Sequence, residues 1–174
     1  LLTAVGQQTI TVKEKLSGAE KSASYSVVVV TNVFDASATS YKVTVDTTAD
    51  APVVENGLVV FKTINDALMY LELVQAKPSA IKTIEVAVGT YFEKVTVNMP
   101  NVHMVGIDED ASRTVLEFNA LNGLTDPSGT ITYSTNGSAS ITITETATGF
   151  TAQNITFKNY YNTNALYEES KLIA

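Results

Sequence analysis

The 174-residue sequence contains no cysteine and no tryptophan, and only one histidine. The absence of cysteine excludes a disulfide framework and thiolate metal sites, but it does not exclude secretion, because many bacterial surface proteins lack disulfides. Long apolar runs are missing too: the four valines at residues 27–30, for example, fall far short of the roughly 20 residues of a membrane span. No signal peptide is visible, and we expect the chain to begin inside a larger protein.

Positive charge is also scarce. Eleven Lys and Arg residues stand against 18 Asp and Glu residues, which gives a net charge of −7. A protein that binds nucleic acid has to neutralise phosphates with a basic surface, and this sequence has no basic surplus. We therefore exclude nucleic acid as a partner.

Apolar residues nevertheless make up 45% of the chain, so the sequence predicts a folded protein and not a disordered tail. Val, Thr, Ser and Asn take the place of the missing charges, and β-branched side chains favour strands. The length suffices for one domain, or for a small module plus part of another.

Residues 1–31 have the pattern of a β-hairpin. Residues 8–12 alternate, residues 25–30 form an apolar run, and a polar loop around Gly18 separates them. The segment 6–12, GQQTITV, resembles a strand of bacterial immunoglobulin-like surface domains, and a plain β-hairpin is the alternative. Two strands do not form an independent domain, so we expect this segment to be the tail of such a domain or to pack on something else.

One amphipathic helix is predicted from residue 64 to about residue 75. Thr63 precedes it as an N-cap, and Pro78 follows it as a stop. Apolar side chains recur at helical spacing on one face: Ile64, Ala67, Leu68, Leu71 and Val74.

The rest of the chain is predicted to form short strands. Residues 32–62 read as a linker with leading strands, and no second amphipathic helix follows Pro78, which argues against a βαβ architecture. The alternating or apolar runs lie at residues 41–46, 58–61, 83–88, 94–97, 102–105, 115–118, 140–144 and 154–157. Short strands after one helix favour a β-solenoid that the helix covers, although this pattern alone leaves a β-sandwich open.

Four segments, in order, resemble the pectinesterase family. They are TINDAL at 63–68, IEVAVGTYFEKV at 84–95, NVHMVG at 101–106 and GFTAQNITFKN at 149–159. The corresponding family patterns are TIxxAL, IxGxYxExV, NIxLxG and GFxAxNITFxN. The resemblance implies an all-β fold: a right-handed, single-stranded parallel β-helix, with its N-terminal rungs in residues 63–174 and one N-terminal capping α-helix.

The resemblance also implies an activity, the removal of methyl esters from homogalacturonan without a metal or other cofactor. Family members use one aspartate as nucleophile, a second as acid and then base, and glutamine amides that hold the oxyanion. Those groups lie in motifs of the type QAVAL, QDTL, DFIFG and GRPW, and none of these occurs in this sequence. We therefore expect no catalytic residue and no esterase activity in this chain. We also expect the chain to be a truncated part of the catalytic domain of a pectinesterase.

Four residues are candidates for substrate contact through the resemblance. Glu93 matches the glutamate of GxYxE, and a structural carboxylate that closes a turn is the alternative. Tyr91 and Gly89 belong to the same motif, with alternatives as an aromatic packed between rungs and a point of close backbone approach. Thr135 begins TNGSAS at 135–140, which aligns with the family's TxxSAT, whose first threonine contacts the polysaccharide. A turn hydroxyl is its alternative.

Two other groups have plainer interpretations. His103 has no nucleophilic serine motif to serve, so we predict a strand side chain at the solenoid surface. The acidic residues 108–110 lack the glycine and ligand spacing of a calcium loop, which predicts a solvated turn and no metal.

The partner that the resemblance implies is methyl-esterified pectin, a largely neutral polymer that an acidic protein does not repel. An extracellular or cell-surface location in a bacterium follows from the two resemblances. A non-catalytic carbohydrate-binding or surface-adhesin β-helix is the alternative function, and a structural stalk is a third. We also expect an open strand edge after Asn159 to allow self-association.

Overall fold

The computed structural model describes residues 6–16, 19–29, 38–49, 52–55, 58–73, 76–123, 129, 133–134 and 137–159. The first two strands, β1 (Gly6–Leu16) and β2 (Ala19–Val29), form an antiparallel pair. Both are longer than the alternating pattern of the sequence indicates. The immunoglobulin-like origin of this hairpin stays a prediction.

The later strands are β3 (Ser40–Val45), β4 (Val53–Glu55), β5 (Leu58–Phe61), β6 (Ile81–Val86), β7 (Gly89–Phe92), β8 (Val95–Val97), β9 (Val102–Gly106), β10 (Thr114–Phe118), β11 (Ile141–Ile143), β12 (Thr151–Gln153) and β13 (Thr156–Asn159). They form three sheets in the orders β12-β9-β6-β3-β5-β4, β13-β10-β7 and β11-β8. Every pair in them is parallel except β4 with β5.

The chain passes through the three sheets in turn. It runs through β6, β7 and β8, then through β9, β10 and β11, and then through β12 and β13. Each strand pairs in parallel with the strand at the same place in the next turn of chain. This is the architecture of a parallel β-helix, so the predicted all-β solenoid is confirmed, and the sandwich that the strand pattern left open is excluded.

The core lies inside the solenoid and is built from stacked side chains. Parallel register places Val43, Ile84 and Met104 in one column and Tyr91 beside Leu116 in another. All five side chains are buried. Because successive residues of a strand point to opposite faces, the residues between them lie on the outer surface.

The α-helix α1 (Ile64–Leu73) packs on this core. The hydroxyl of Thr63 accepts a hydrogen bond from the backbone N–H of Asp66 at 3.0 Å, which is the N-cap that the sequence predicts. The apolar face buries four of the five predicted residues: Ile64, Ala67, Leu68 and Leu71. The fifth, Val74, and the predicted end at Gln75 lie outside the described residues.

Some strand boundaries differ from the predicted ones. The predicted strand at 83–88 lies at Ile81–Val86, and a separate strand, β7, follows it. The predicted strand at 154–157 was wrong at its start because Asn154 has φ of 57°, which interrupts extended backbone and separates β12 from β13. Strands β4, β7 and β12, which have three or four residues each, were not predicted.

A buried lysine lies in β6. Lys82 is 1% exposed, and burial lowers the pKa of its ammonium group. Its Nζ shares three N–H donors among four backbone carbonyl oxygens within hydrogen-bond distance: those of Lys77 (3.0 Å), Pro78 (3.4 Å), Ala80 (2.9 Å) and Pro100 (2.9 Å). A buried charge is tolerated only when polar partners replace water, and here backbone atoms from two turns replace it.

In the described ranges, no helix has both the length and the apolar character that crossing a membrane requires.

Candidate functional site

The carboxylate of Glu93 lies at the N-terminus of α1. Its Oε1 accepts a hydrogen bond from the backbone N–H of Ile64 at 2.8 Å, and its Oε2 accepts two from Asn65, from the backbone N–H at 3.0 Å and from Nδ2 at 2.7 Å. Asn65 Nδ2 also donates to the carbonyl oxygen of Lys94 at 3.0 Å. Since the first N–H groups of a helix lack intrahelical partners and carry partial positive charge, Glu93 fastens the helix to the corner between β7 and β8.

Two opposing effects act on the Glu93 carboxyl. Burial raises its pKa, and the N–H donors of Ile64 and Asn65 act in the opposite direction because they stabilise the charged form. Both carboxylate oxygens thus have protein partners, as a structural carboxylate requires. A contact between Glu93 and substrate stays a prediction.

Tyr91 lies in the core beneath this corner. Its side chain is 3% exposed, and its hydroxyl donates to the carbonyl oxygens of Ala87 at 2.9 Å and Val45 at 3.2 Å. Burial, with a smaller contribution from the charge of Asp46, raises the pKa of Tyr91 to about 12. The hydroxyl therefore remains protonated at neutral pH and ties β3 to the turn before β7, while substrate contact by Tyr91 stays a prediction.

Gly89 opens β7 where two parts of the chain approach closely. Its φ is +157°, and a Cβ at this position would lie 3.0 Å from Thr47 Oγ1. A larger residue would have to displace that threonine. The structure thus supplies a packing reason for this glycine, and its place in a substrate site stays a prediction.

Thr135 lies outside the described residues, so its predicted contact has no structural counterpart here. The residues after it are held from two sides. Lys94 Nζ donates to the carbonyl oxygen of Gly137, and Asn159 Nδ2 donates to that of Ser138 at 3.1 Å. The segment that follows Thr135 is therefore joined to the corner that carries Glu93.

A shallow pocket of about 220 Å³ opens beside this corner. Its walls combine hydroxyl groups, an ammonium group, a carboxylate and aromatic rings, from Thr47, Lys62, Thr63, Thr90, Tyr91, Phe92 and Glu93. Groups of this kind bind and orient a polar ligand that also has apolar faces. In the part of the chain that the structure describes, no group of three His, Asp or Glu residues is placed to hold a metal ion.

An aromatic cluster near this pocket, with Phe92 exposed and two further rings partly buried, was not predicted. The ring centroids of Phe92 and Phe118 are 5.9 Å apart, and those of Phe118 and Tyr133 are 6.0 Å apart. The sequence holds a signal for Phe92, because a strand that turns Tyr91 inward must turn its neighbour outward. It holds none for Phe118 and Tyr133, whose approach depends on the loop between β10 and β11.

Replacing Glu93 by glutamine is expected to lower the free energy of unfolding by about 1 to 2 kcal/mol. Glutamine offers one acceptor oxygen where the carboxylate offers two, and its amide group would face the donors of Asn65. Urea denaturation of both proteins measures the loss. The matched control is Glu117→Gln. The Glu117 carboxylate makes an ion pair with Lys158 at 3.6 Å, and the loss of this pair should cost less than about 0.5 kcal/mol. Equal effects of the two substitutions would contradict the capping role.

Comparison with known proteins places these features in a family. A model of the Pectinesterase family matches residues 50–166. The structure is similar to that of a pectin methylesterase in complex with hexasaccharide VII, with 26% sequence identity and a TM-score of 0.54, and to pectin methylesterase PemA from Erwinia chrysanthemi, with 27% identity and a TM-score of 0.55. No curated protein sequence matches the chain.

Each structural match covers 71% of this chain and 32% of the enzyme. This chain therefore spans about a third of the length of the enzymes it resembles. The family match extends over most of the chain, and strands β5 to β13 lie within the matched residues. On this evidence the chain belongs to the pectinesterase family.

Proposed function

We propose that this chain is the N-terminal part of a pectinesterase that hydrolyses the methyl esters of homogalacturonan, and that its own contribution is to bind and orient the polysaccharide. The observation that carries the proposal is the family match over residues 50–166. One of the similar enzymes was solved in complex with a hexasaccharide, which supports a polysaccharide as the ligand.

The chemistry of ester hydrolysis is assigned to residues outside this chain. A carboxylate nucleophile, an acid–base carboxylate and amide donors for the oxyanion are the groups this reaction needs. The sequence has no QAVAL, QDTL, DFIFG or GRPW motif. We therefore propose that the 174 residues alone bind pectin without cleaving its esters.

A non-catalytic carbohydrate-binding or surface-adhesin module is the second candidate. The absence of all four motifs from the sequence favours it, and the binding rungs are the same in both cases. For either candidate we propose an extracellular or cell-surface location in a bacterium, because a polymer of this size is encountered outside the cell.

The test uses the 174-residue chain with methyl-esterified homogalacturonan. We expect retarded migration of the chain in a gel that contains the polymer, and no methanol release above a protein-free control. Methanol release by homogeneous chain would overturn the assignment of catalysis to other residues. Unchanged migration would overturn the binding role.

The natural protein decides between the two candidates. If its intact mass exceeds the 18.6 kDa of this chain and its peptides include a QAVAL-like segment, methanol release by that longer protein is the expected result. A mass of 18.6 kDa with polymer binding would favour the non-catalytic module.

A further inference from the structure

The aromatic cluster of Phe92, Phe118 and Tyr133, here called the aromatic ledge, is most exposed at Phe92. Phe92 is 62% exposed. Phe118 meets Phe92 with a tilt of 35° and meets the ring of Tyr133 nearly edge-on, at 84°. Phe118 therefore packs between the two other rings of the cluster. The exposed part of the Phe92 ring is an apolar surface that a ligand can reach.

Polar groups adjoin the ledge on one side. Phe92 also lines the 220 Å³ pocket, next to the hydroxyls of Thr90 and Thr47 and the ammonium of Lys62. A pyranose ring has the matching pair of surfaces, an apolar face of C–H groups and an edge of hydroxyl groups. An aromatic ring with hydroxyl partners at its edge is suited to that combination.

Charges of both signs lie beside the ledge. Parallel register places Phe92 next to Glu117 on β10, and Glu117 next to Lys158 on β13. The Glu117 carboxylate lies 3.6 Å from Lys158 Nζ, and the Lys62 ammonium lines the same pocket as Phe92. Because these charges oppose one another, the apolar ring of Phe92 is the group at the ledge that is suited to the C–H face of a sugar.

We propose that the aromatic ledge is a sugar-binding subsite at which the face of a galacturonate unit stacks on Phe92. Phe118 acts as a positioning residue that packs against this ring, and Tyr133 packs against Phe118 in turn. The inference rests on the proposed function, since it supposes a pectin ligand, and it adds the residues of the subsite.

Isothermal titration of the 174-residue chain with a methyl-esterified hexagalacturonate tests the subsite. Phe92→Leu keeps an apolar side chain but removes the ring, and we expect Kd to rise about tenfold. Phe92→Tyr keeps the ring and should stay within about twofold of the wild type. Leu73→Ala, a change at a 71% exposed apolar residue on α1, is the control and should leave Kd unchanged. Urea denaturation shows whether each variant is folded.

The outcomes separate this inference from the proposed function. Wild-type binding that Phe92→Leu leaves unchanged would overturn the ledge and preserve the binding role of the chain. Absence of wild-type binding would overturn both. Weaker binding by Phe92→Leu, with the affinity of Phe92→Tyr close to that of the wild type, supports the ledge.

Discussion

Replacing Lys82 by methionine is expected to lower the free energy of unfolding by about 3 kcal/mol. Methionine fills most of the space of the aliphatic stem but has no donor, so the four carbonyl oxygens that surround Nζ lose their partner in a largely buried place. The desolvation cost of the buried ammonium disappears at the same time, and this limits the loss.

The matched control is Lys42→Met, on the neighbouring strand of the same sheet. The Lys42 side chain is 49% exposed and makes an ion pair with Glu85 at 2.6 Å. A pair of this kind contributes about 0 to 1 kcal/mol, so its loss should be small. Urea denaturation, with the slope compared among the three proteins, gives the two differences. If Lys82→Met cost no more than Lys42→Met, the carbonyl cage would have no role in stability.

Replacing Gly106 by alanine is expected to cost about 3 kcal/mol of unfolding free energy. A Cβ at Gly106 would lie 2.1 Å from the backbone carbonyl oxygen of Asn154, a separation at which the atoms overlap. Either β9 or the turn between β12 and β13 has to move, and Asn154, with φ of 57°, is already in a conformation that few residues tolerate.

Gly123→Ala is the control for this change. Gly123 has φ of +88°, and a Cβ at this position would have no other atom within 4 Å. Alanine there should cost about 1 to 2 kcal/mol through backbone conformation alone. The difference between the two substitutions, measured by urea denaturation, isolates the steric contact. A smaller loss for Gly106→Ala than for Gly123→Ala would mean that the two turns do not approach as described.

Features that depend on neighbouring residues in the sequence were the ones that could be predicted. Helix α1 and its Thr63 cap follow from spacing within one segment, and the order of short strands after Pro78 follows from local alternation. The register of the solenoid could not be predicted from the sequence, because it depends on pairing between strands in different turns of the chain. The resemblance to a family supplied the β-helix that periodicity left open.

The candidate site likewise combines features that the sequence predicts with features that it does not. The motif around Glu93 identifies the residue, but its partners Ile64 and Asn65 lie 29 and 28 positions earlier, so its place at a helix N-terminus could not be derived. The burial of Lys82 was likewise invisible, since a lysine in a strand is typical of an exposed position. The partners that bury it come from residues 77–80 and from Pro100.

The two corners that follow β7 and β10 have very different lengths. Only Glu93 and Lys94 separate β7 from β8, whereas residues 119–140 separate β10 from β11. The strands on both sides of these corners nevertheless pair in parallel, β7 with β10 and β8 with β11. The solenoid therefore keeps its register across the short corner and the long one alike. A foreign peptide grafted between β10 and β11 should be displayed at the rim without refolding the rungs, so new ligand specificities can be introduced there by insertion.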